Sequence, residues 1–269
     1  MARRVLLTGG NGFIGSHILA QLLDHGCTVC CAVRTQEKGD KILRDFAAQQ
    51  SQITITIVPD IVAPGAYDTA VQGTPAFDAV YHTASPFTYA NAGSNLQFLE
   101  PAIKGTLNLL KAVKDNAPSV KRVIWTGSCA SVIDYDNLVA DPPRIYREAD
   151  WNPVTWEEAV NGDPSKAYRG SKLFAEREEA GNQRFVVCAR QFDFQDVCDI
   201  LRSHHPELSE RTPLGKPGTS SLPPGAYSID NSKVKKFLGV EFRSLEETVL
   251  DAARCMLDIE RNEKQALST

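Results

Sequence analysis

At 269 residues, 42% of them apolar and 23% charged, the chain is long enough to bury a large core and has the make-up of an ordinary soluble globule. A net charge of −4 with interspersed signs offers no basic stripe, which argues against a nucleic-acid partner. No run approaches a membrane span, and "MARRVLLTGG" breaks at glycine too early to serve as a signal peptide, so no membrane partner and a cytoplasmic location are expected. The seven cysteines (27, 30, 31, 129, 188, 198 and 255) are scattered and odd in number. Reduced thiols and no metal site are the expectation.

In chain order, "RRVLLT" (3–8) is a short apolar strand candidate. "FIGSHILAQLLDHG" (13–26) carries apolar residues at helical spacing and stops at Gly26. "CTVCCAV" (27–33) predicts a second strand, on which Cys30 and Cys31 face opposite sides. "QEKGDKILRDFAAQQ" (36–50) predicts a helix and the β-branched "ITITIV" (53–58) a strand. A fourth strand is expected over 77–83 and a long helix over 96–116, with Pro101 bending it or starting its main part. "KRVIWTGS" (121–128) predicts a fifth strand, and 164–180 a helix with Pro164 near its start. Apolar strands alternating with helices predict an α/β fold: a doubly wound, Rossmann-type parallel sheet covered on both faces.

Gly9, Gly12 and Gly15 in "GGNGFIG" fall between the first strand and the first helix. The spacing alone is a weak signal, but this context is where a tight turn must bring backbone close to a pyrophosphate. The free N–H groups of the helix start then favour the phosphates. An acid about 20 positions further on would bond the ribose 2′-hydroxyl of NAD. Arg34 stands there instead, with Lys38 one helical turn beyond. An arginine cannot accept from the ribose but pairs with a 2′-phosphate, so NADP(H) is the expected cofactor.

Tyr168 and Lys172 in "AYRGSK" share a helix face. Ser128 closes the fifth strand, at the carboxyl edge where such sheets bind ligands. Reduction of a carbonyl by hydride develops charge on oxygen, which calls for a proton donor and a fixed hydrogen bond there. A phenol serves as that donor once a nearby ammonium stabilises its anion. The bland alternative is a tyrosine and a lysine on a solvated helix.

The stretches "VLLTGGNGFIGSHI", "AVRTQEK", "VYHTASPF", "LEPAIKGTLNLLKA", "KRVIWTGSCASV", "YRGSKLFAE" and "IDNSKVKKFLGVEFRSLEETVLD" together resemble the extended short-chain dehydrogenases/reductases. The resemblance is nearest to the branch of dihydroflavonol reductases and NADPH-dependent fungal aldehyde and ketone reductases. It implies Ser128, Tyr168 and Lys172 as the catalytic set, with Lys172 also touching a ribose. It implies Gly9, Gly12, Phe13, Ile14, Arg34 and Lys38 around the cofactor, Asp60 near the adenine, and Thr83, Ala84 and Ser85 on the path to the nicotinamide. His82 is read as a strand-end packing residue.

Two departures stand out. Ala102 occupies the place of an asparagine that many relatives carry on the central helix. More seriously, "FAEREEA" (174–180) runs straight into "GNQRFVVCARQ", where relatives continue with a sixth strand and much of the substrate lobe. Several tens of residues are expected to be missing between Ala180 and Gly181. "RFVVCAR" (184–190) either fills the vacant sheet position or leaves the edge of the fifth strand open. The expected division is a nucleotide-binding domain over 1–180 and, over 181–269, a remnant of the substrate lobe with a proline- and glycine-rich loop (209–226) and a closing helix (241–262). The expected function is NADPH-dependent reduction of a small aldehyde or ketone by a monomer or homodimer. The alternatives are an NADP(H)-binding protein with little turnover and an epimerase or dehydratase using the same cofactor class.

Overall fold

The computed structural model describes residues 3–85, 94–178, 183–219 and 222–267. Its elements begin with β1 (Arg4–Thr8), α1 (Phe13–Asp24), β2 (Thr28–Val33), α2 (Gln36–Asp45), β3 (Ile53–Ile57), β4 (Ala79–His82), α3 (Leu96–Asn116) and β5 (Arg122–Trp125). Then come β6 (Ile145–Tyr146), α4 (Trp156–Asn161), α5 (Pro164–Glu178), α6 (Phe194–His204), β7 (Ser228–Ile229), α7 (Ser232–Leu238) and α8 (Leu245–Leu267). Two compact units result: Met1–Ile133 with Trp151–Asn182, and Asp134–Asp150 with Gln183–Thr269. The segment 134–150, assigned from sequence to the nucleotide unit, therefore packs with the second one. The junction between Ala180 and Gly181 lies outside the described residues.

In the first unit five parallel strands stand in the order β3-β2-β1-β4-β5. The direction of winding reverses between β1 and β4, whose ends Thr8 and His82 face each other in register. Successive residues of a strand face opposite sides, and both sides are apolar here. Leu6, Cys30 and Val80 join Leu109, Ala112 and Val113 of α3 in one cluster. Val5, Leu7, Val29 and Cys31 join Leu19 and Leu23 of α1 and Ile42 of α2 in another. Cys30 and Cys31 thus lie on opposite faces, and burial pushes the Cys31 thiol up to about 12. Of the other cysteines, Cys129, Cys188 and Cys198 are half-buried and Cys255 is exposed.

Several boundaries differ from expectation. α2 ends at Asp45 because Phe46 leaves helical dihedrals while its ring packs into the second cluster, and a 3-10 turn follows over Ala47–Gln52. α3 runs continuously through Pro101 from Leu96. The short α4 was not anticipated, although its signal was present. Thr155 and Glu158 form a capping box, a T-x-x-E pattern that satisfies the first free N–H groups of a helix. α4 packs on α5, which bears Tyr168 and Lys172. This contact needs Gly170, where a Cβ would stand 2.4 Å from the Ala159 Cβ.

The stretch 184–190 forms no strand, and among the described residues nothing pairs with the far edge of β5. Its backbone finds side chains instead of a neighbouring strand. Val186 N–H donates to the Glu148 carboxylate, and the carbonyls of Arg184 and Cys188 accept from Lys233 Nζ and Asn231 Nδ2. The second unit also contains the two-stranded parallel ladder β6-β7 and the helices α6, α7 and α8. All three clusters of buried apolar residues found among the described residues belong to the first unit.

Gly170→Ala forces α4 away from α5, because the atom it meets is a Cβ fixed to backbone. Overpacking of this kind costs about 1–3 kcal/mol, read as a lower midpoint in urea unfolding. A variant as stable as the parent would show that the two helices separate without cost.

Candidate functional site

The loop after β1 is built from missing side chains. Gly9 has φ +74°, and a Cβ on it would stand 2.6 Å from Thr83 Oγ1 and 2.8 Å from Ala84 N. Gly12 closes the turn by donating its N–H to Gly9 O at 2.9 Å and stands at the N-cap of α1. A Cβ on Gly15 would lie 2.0 Å from Gly9 O, so only glycine lets the first turn of α1 fold back on the loop. No side chain caps α1 and no acid occupies its first turn, which leaves the first N–H groups and the positive end of the helix dipole to an anion.

Across the switch point, Thr8 ties the two strand ends together. Its hydroxyl lies 2.7 Å from His82 Nδ1 and accepts from Ala84 N–H at 3.2 Å, and its carbonyl accepts from the Thr83 hydroxyl at 2.7 Å. His82 is buried, and that burial, with Lys172 nearby, lowers its pKa to about 4. It is neutral at physiological pH and acts as a strut.

Above these ends lies a cleft of about 420 Å³. Of the residues anticipated from sequence, it gathers Gly9, Gly12, Arg34, Lys38, Thr83, Ala84 and Ser85. Arg34 follows the last residue of β2, and Lys38 sits in the first turn of α2, whose N-cap Thr35 accepts from Lys38 N–H. Phe13, Ile14, Gly15 and Asp60 do not line it. The side chains of Phe13 and Ile14 stand in solvent, since the first turn of α1 offers its backbone to the loop. The Asp60 carboxylate accepts from Val62 N–H at 2.9 Å.

Asn11, Ala32, Val33, Val58, Ile61 and Tyr67 complete the lining and were missed. Val33 and Val58 were findable, because they close β2 and follow β3 at the carboxyl edge. Tyr67 and Ile61 belong to an irregular stretch with no local signal. The Tyr67 ring is buried, and its hydroxyl has no partner among the described residues.

Ser128, Tyr168 and Lys172 converge beside the cleft. Ser128 caps a 3-10 turn over Cys129–Ser131, its Oγ accepting from Ala130 N–H at 3.1 Å. The Tyr168 hydroxyl donates to the same Oγ at 3.4 Å. Lys172 Nζ lies 5.4 Å from the centre of the Tyr168 ring and donates to Ser85 Oγ at 2.6 Å. Ser85 lines the cleft, so Lys172 joins the Ser–Tyr pair to it. Burial lowers the Lys172 ammonium to about 8. Ala102 is buried on α3 and brings no polar side-chain atom.

Among the described residues no group of three or more His, Cys, Asp or Glu could hold a metal ion, and no helix is long and apolar enough to cross a membrane.

Residues 5–181 match the NAD dependent epimerase/dehydratase family. Ketoreductase azaE of Aspergillus niger is 33% identical over 340 aligned residues, which cover 96% of this chain and 98% of the relative. The NADPH-dependent methylglyoxal reductase GRE2 of Saccharomyces cerevisiae is 30% identical over 341, covering 95% and 98%. The crystal structure of the yeast methylglyoxal/isovaleraldehyde reductase Gre2 complexed with NADPH has 28% identity and a TM-score of 0.86, covering 96% of this chain and 99% of that one. Both sequence alignments are longer than the 269 residues of this chain, so each carries gaps of several tens of positions on its side.

Burial holds the folded pKa of Lys172 near 8, below the 10.5 of a free lysine. Below about pH 8 the charged lysine therefore costs the native state free energy, and stability rises as pH climbs from there towards 10.5. Lys172→Met, uncharged and similar in length, stabilises the ligand-free protein by on the order of 3 kcal/mol at pH 7 and flattens that rise. Urea unfolding at several pH values measures both, and a variant less stable than the parent at pH 7 contradicts the assignment.

Proposed function

Because the chain belongs to the NAD dependent epimerase/dehydratase family, among the extended short-chain dehydrogenases/reductases, we propose that it reduces a small aldehyde or ketone with NADPH. The carrying observation is the path from the cleft to the Ser–Tyr pair: Ser85 to Lys172, Lys172 over Tyr168, and Tyr168 to Ser128. Relatives named as NADPH-dependent reductases support the same reading.

The cleft suits the cofactor on its own chemistry. Side chains at Gly9 and Gly15 would collide with the loop they shape. The uncapped start of α1 receives a pyrophosphate. Arg34 and Lys38 receive a 2′-phosphate at the end of β2. Asp60 is assigned to the adenine, Phe13, Ile14 and Gly15 to the phosphates through their backbone, and Thr83 and Ala84 to the nicotinamide side. When bound, the cofactor supplies a hydride to the carbonyl carbon and leaves oxidised.

The protein's part is the oxygen. As the C=O pair moves onto oxygen, the Tyr168 hydroxyl gives it a proton, and Lys172 favours the phenolate left behind. The Ser128 oxygen accepts from Ala130 N–H, so its own proton is free to hold the carbonyl oxygen, and the Tyr168 hydroxyl, which donates to Ser128 in the ligand-free arrangement, would turn its proton to that oxygen instead. Such a donor, fixed before the charge develops, is worth most where water is excluded.

A second reading, an NADP(H)-binding protein with little turnover, is favoured by the edge of β5, which no strand among the described residues covers, and by the absence of an apolar cluster in the described second unit. We assign the alignment gaps to the junction after α5. A pocket left open there admits water and loosens the geometry of hydride transfer.

Titration by fluorescence is expected to show NADPH binding more tightly than NADH, with Arg34→Asp reversing or abolishing the preference. Equal affinities in the parent, or an unchanged preference in the variant, overturn the cofactor assignment.

Turnover with small aldehydes is expected to be lost in Tyr168→Phe, by at least about a hundredfold, while NADPH affinity stays near that of the parent. The kcat/KM of the parent falls as pH rises above about 8, where Lys172 loses its charge. A Tyr168→Phe variant that keeps the parent's rate refutes the mechanism. Cofactor binding with no turnover in the parent establishes the second reading.

A further inference from the structure

Glu176 takes no part in the chemistry above, yet it lies one helical turn past Lys172 and two past Tyr168 on α5. Residues four apart share a helix face, so 168, 172 and 176 form one stripe. The turn that carries Ser128 lies along it and is held at both ends. At one end the Tyr168 hydroxyl reaches Ser128 Oγ at 3.4 Å. At the other, the buried Ser131 hydroxyl donates to the Glu176 carboxylate. The same Ser131 Oγ lies 2.8 Å from the carbonyl oxygen of Ser128, which also accepts from Ser131 N–H at 3.0 Å. The carboxylate runs beneath the turn as well, with Glu176 Oε2 3.7 Å from where a Cβ on Gly127 would stand.

Asn152 holds the far side of the turn, its N–H donating to the Ser131 carbonyl at 2.8 Å, but that bond does not fix the turn against α5, and the long Tyr168 contact has little grip of its own. The Ser131–Glu176 bond supplies a second point of attachment to α5. We propose that Glu176 is a positioning residue: through Ser131 it clamps the Ser128 turn to α5 and so sets the distance between Ser128 Oγ and the Tyr168 hydroxyl. This rests on the reading of Ser128 and Tyr168 as the pair that meets the carbonyl oxygen, and it adds a residue that touches neither substrate nor cofactor. A displacement of about 1 Å at such a pair costs on the order of a hundredfold in rate.

The test uses the full chain and two readouts. Tyrosine labelled with ¹³C at Cζ gives a Tyr168 signal, identified by its loss in Tyr168→Phe, that reports hydrogen bonding at the phenol whether or not the protein turns over. In Glu176→Ala that signal moves as it does in Ser128→Ala, and the Ser128→Ala/Glu176→Ala double variant shows no further movement. Glu176→Gln, which still accepts from Ser131, restores the parent position. Ser131→Ala reproduces Glu176→Ala and carries the comparison if that variant does not fold. In kinetics, kcat falls about tenfold to a hundredfold in Glu176→Ala, with NADPH affinity and KM little changed and most of the loss recovered in Glu176→Gln. A Tyr168 signal unmoved by both Glu176→Ala and Ser131→Ala overturns the proposal, as do shifts that add in the double variant. If the parent shows no turnover, the reductase reading falls, while the Tyr168 signal still decides the role of Glu176.

Discussion

The site hangs on the side chain and carbonyl of Thr8. At the point where the sheet reverses its winding, two parallel strands end side by side and their chains leave in opposite directions, one into α1 and one towards α3. Past the last strand pair one long backbone bond, Thr83 N–H to Thr8 O at 3.3 Å, continues the ladder. Thr8 holds the departing loops together, with its hydroxyl on His82 and Ala84 and its carbonyl on Thr83. Gly9 completes the contact by having no Cβ to keep Thr83 and Ala84 away. This explains why a histidine is buried here in its neutral form. It is a rigid partner for Thr8, and charging it would require desolvating an imidazolium close to Lys172.

From that anchor the polar groups continue in one direction. Ser85 extends the tied loop and meets Lys172, Lys172 lies over Tyr168, and Tyr168 meets Ser128, whose turn is held again at Ser131 and Glu176. Ser128 and Tyr168 thus sit on the turn after β5 and on α5, while the residues that line the cleft sit on the end of β2 and on the stretches after β1, β2, β3 and β4. The bond from Lys172 to Ser85 joins the two sets. Burial lowers the basicity of Lys172, the condition under which an ammonium acts strongly on a neighbouring phenol, because little water screens it.

The two units differ in how they are held. The first unit has apolar clusters on both faces of its sheet and a third among α3, α4 and α5 around Leu99, Ala159 and Leu173. The described second unit has no such cluster; it buries Tyr146, Val186 and Val234, makes polar contacts such as those of Arg184 with the carbonyls of Glu148 and Asp150, and exposes Phe194, Phe237 and Met256. Among the described residues the sheet ends at β5, in agreement with alignments that leave several tens of positions without a counterpart here.

Much of this was legible in the sequence because it is local. Strand and helix periods, the glycines at the first turn, the arginine and lysine at the end of β2 and the Tyr–Lys pair one turn apart each follow from residues close together in the chain. The contacts that escaped depend on strand order. Ser131 meets Glu176 across 45 positions and Lys172 meets Ser85 across 87, distances at which no period or cap carries information. Ile61 and Tyr67 line the cleft from an irregular stretch whose course is set by the helix and sheet it packs on. The division of the chain was likewise a tertiary matter: 134–150 leaves the nucleotide unit because β6 pairs with β7, more than 80 residues later. "RFVVCAR" has the composition of a strand, but a strand exists only where a neighbour offers its ladder, and here Glu148, Asn231 and Lys233 bonded that backbone first.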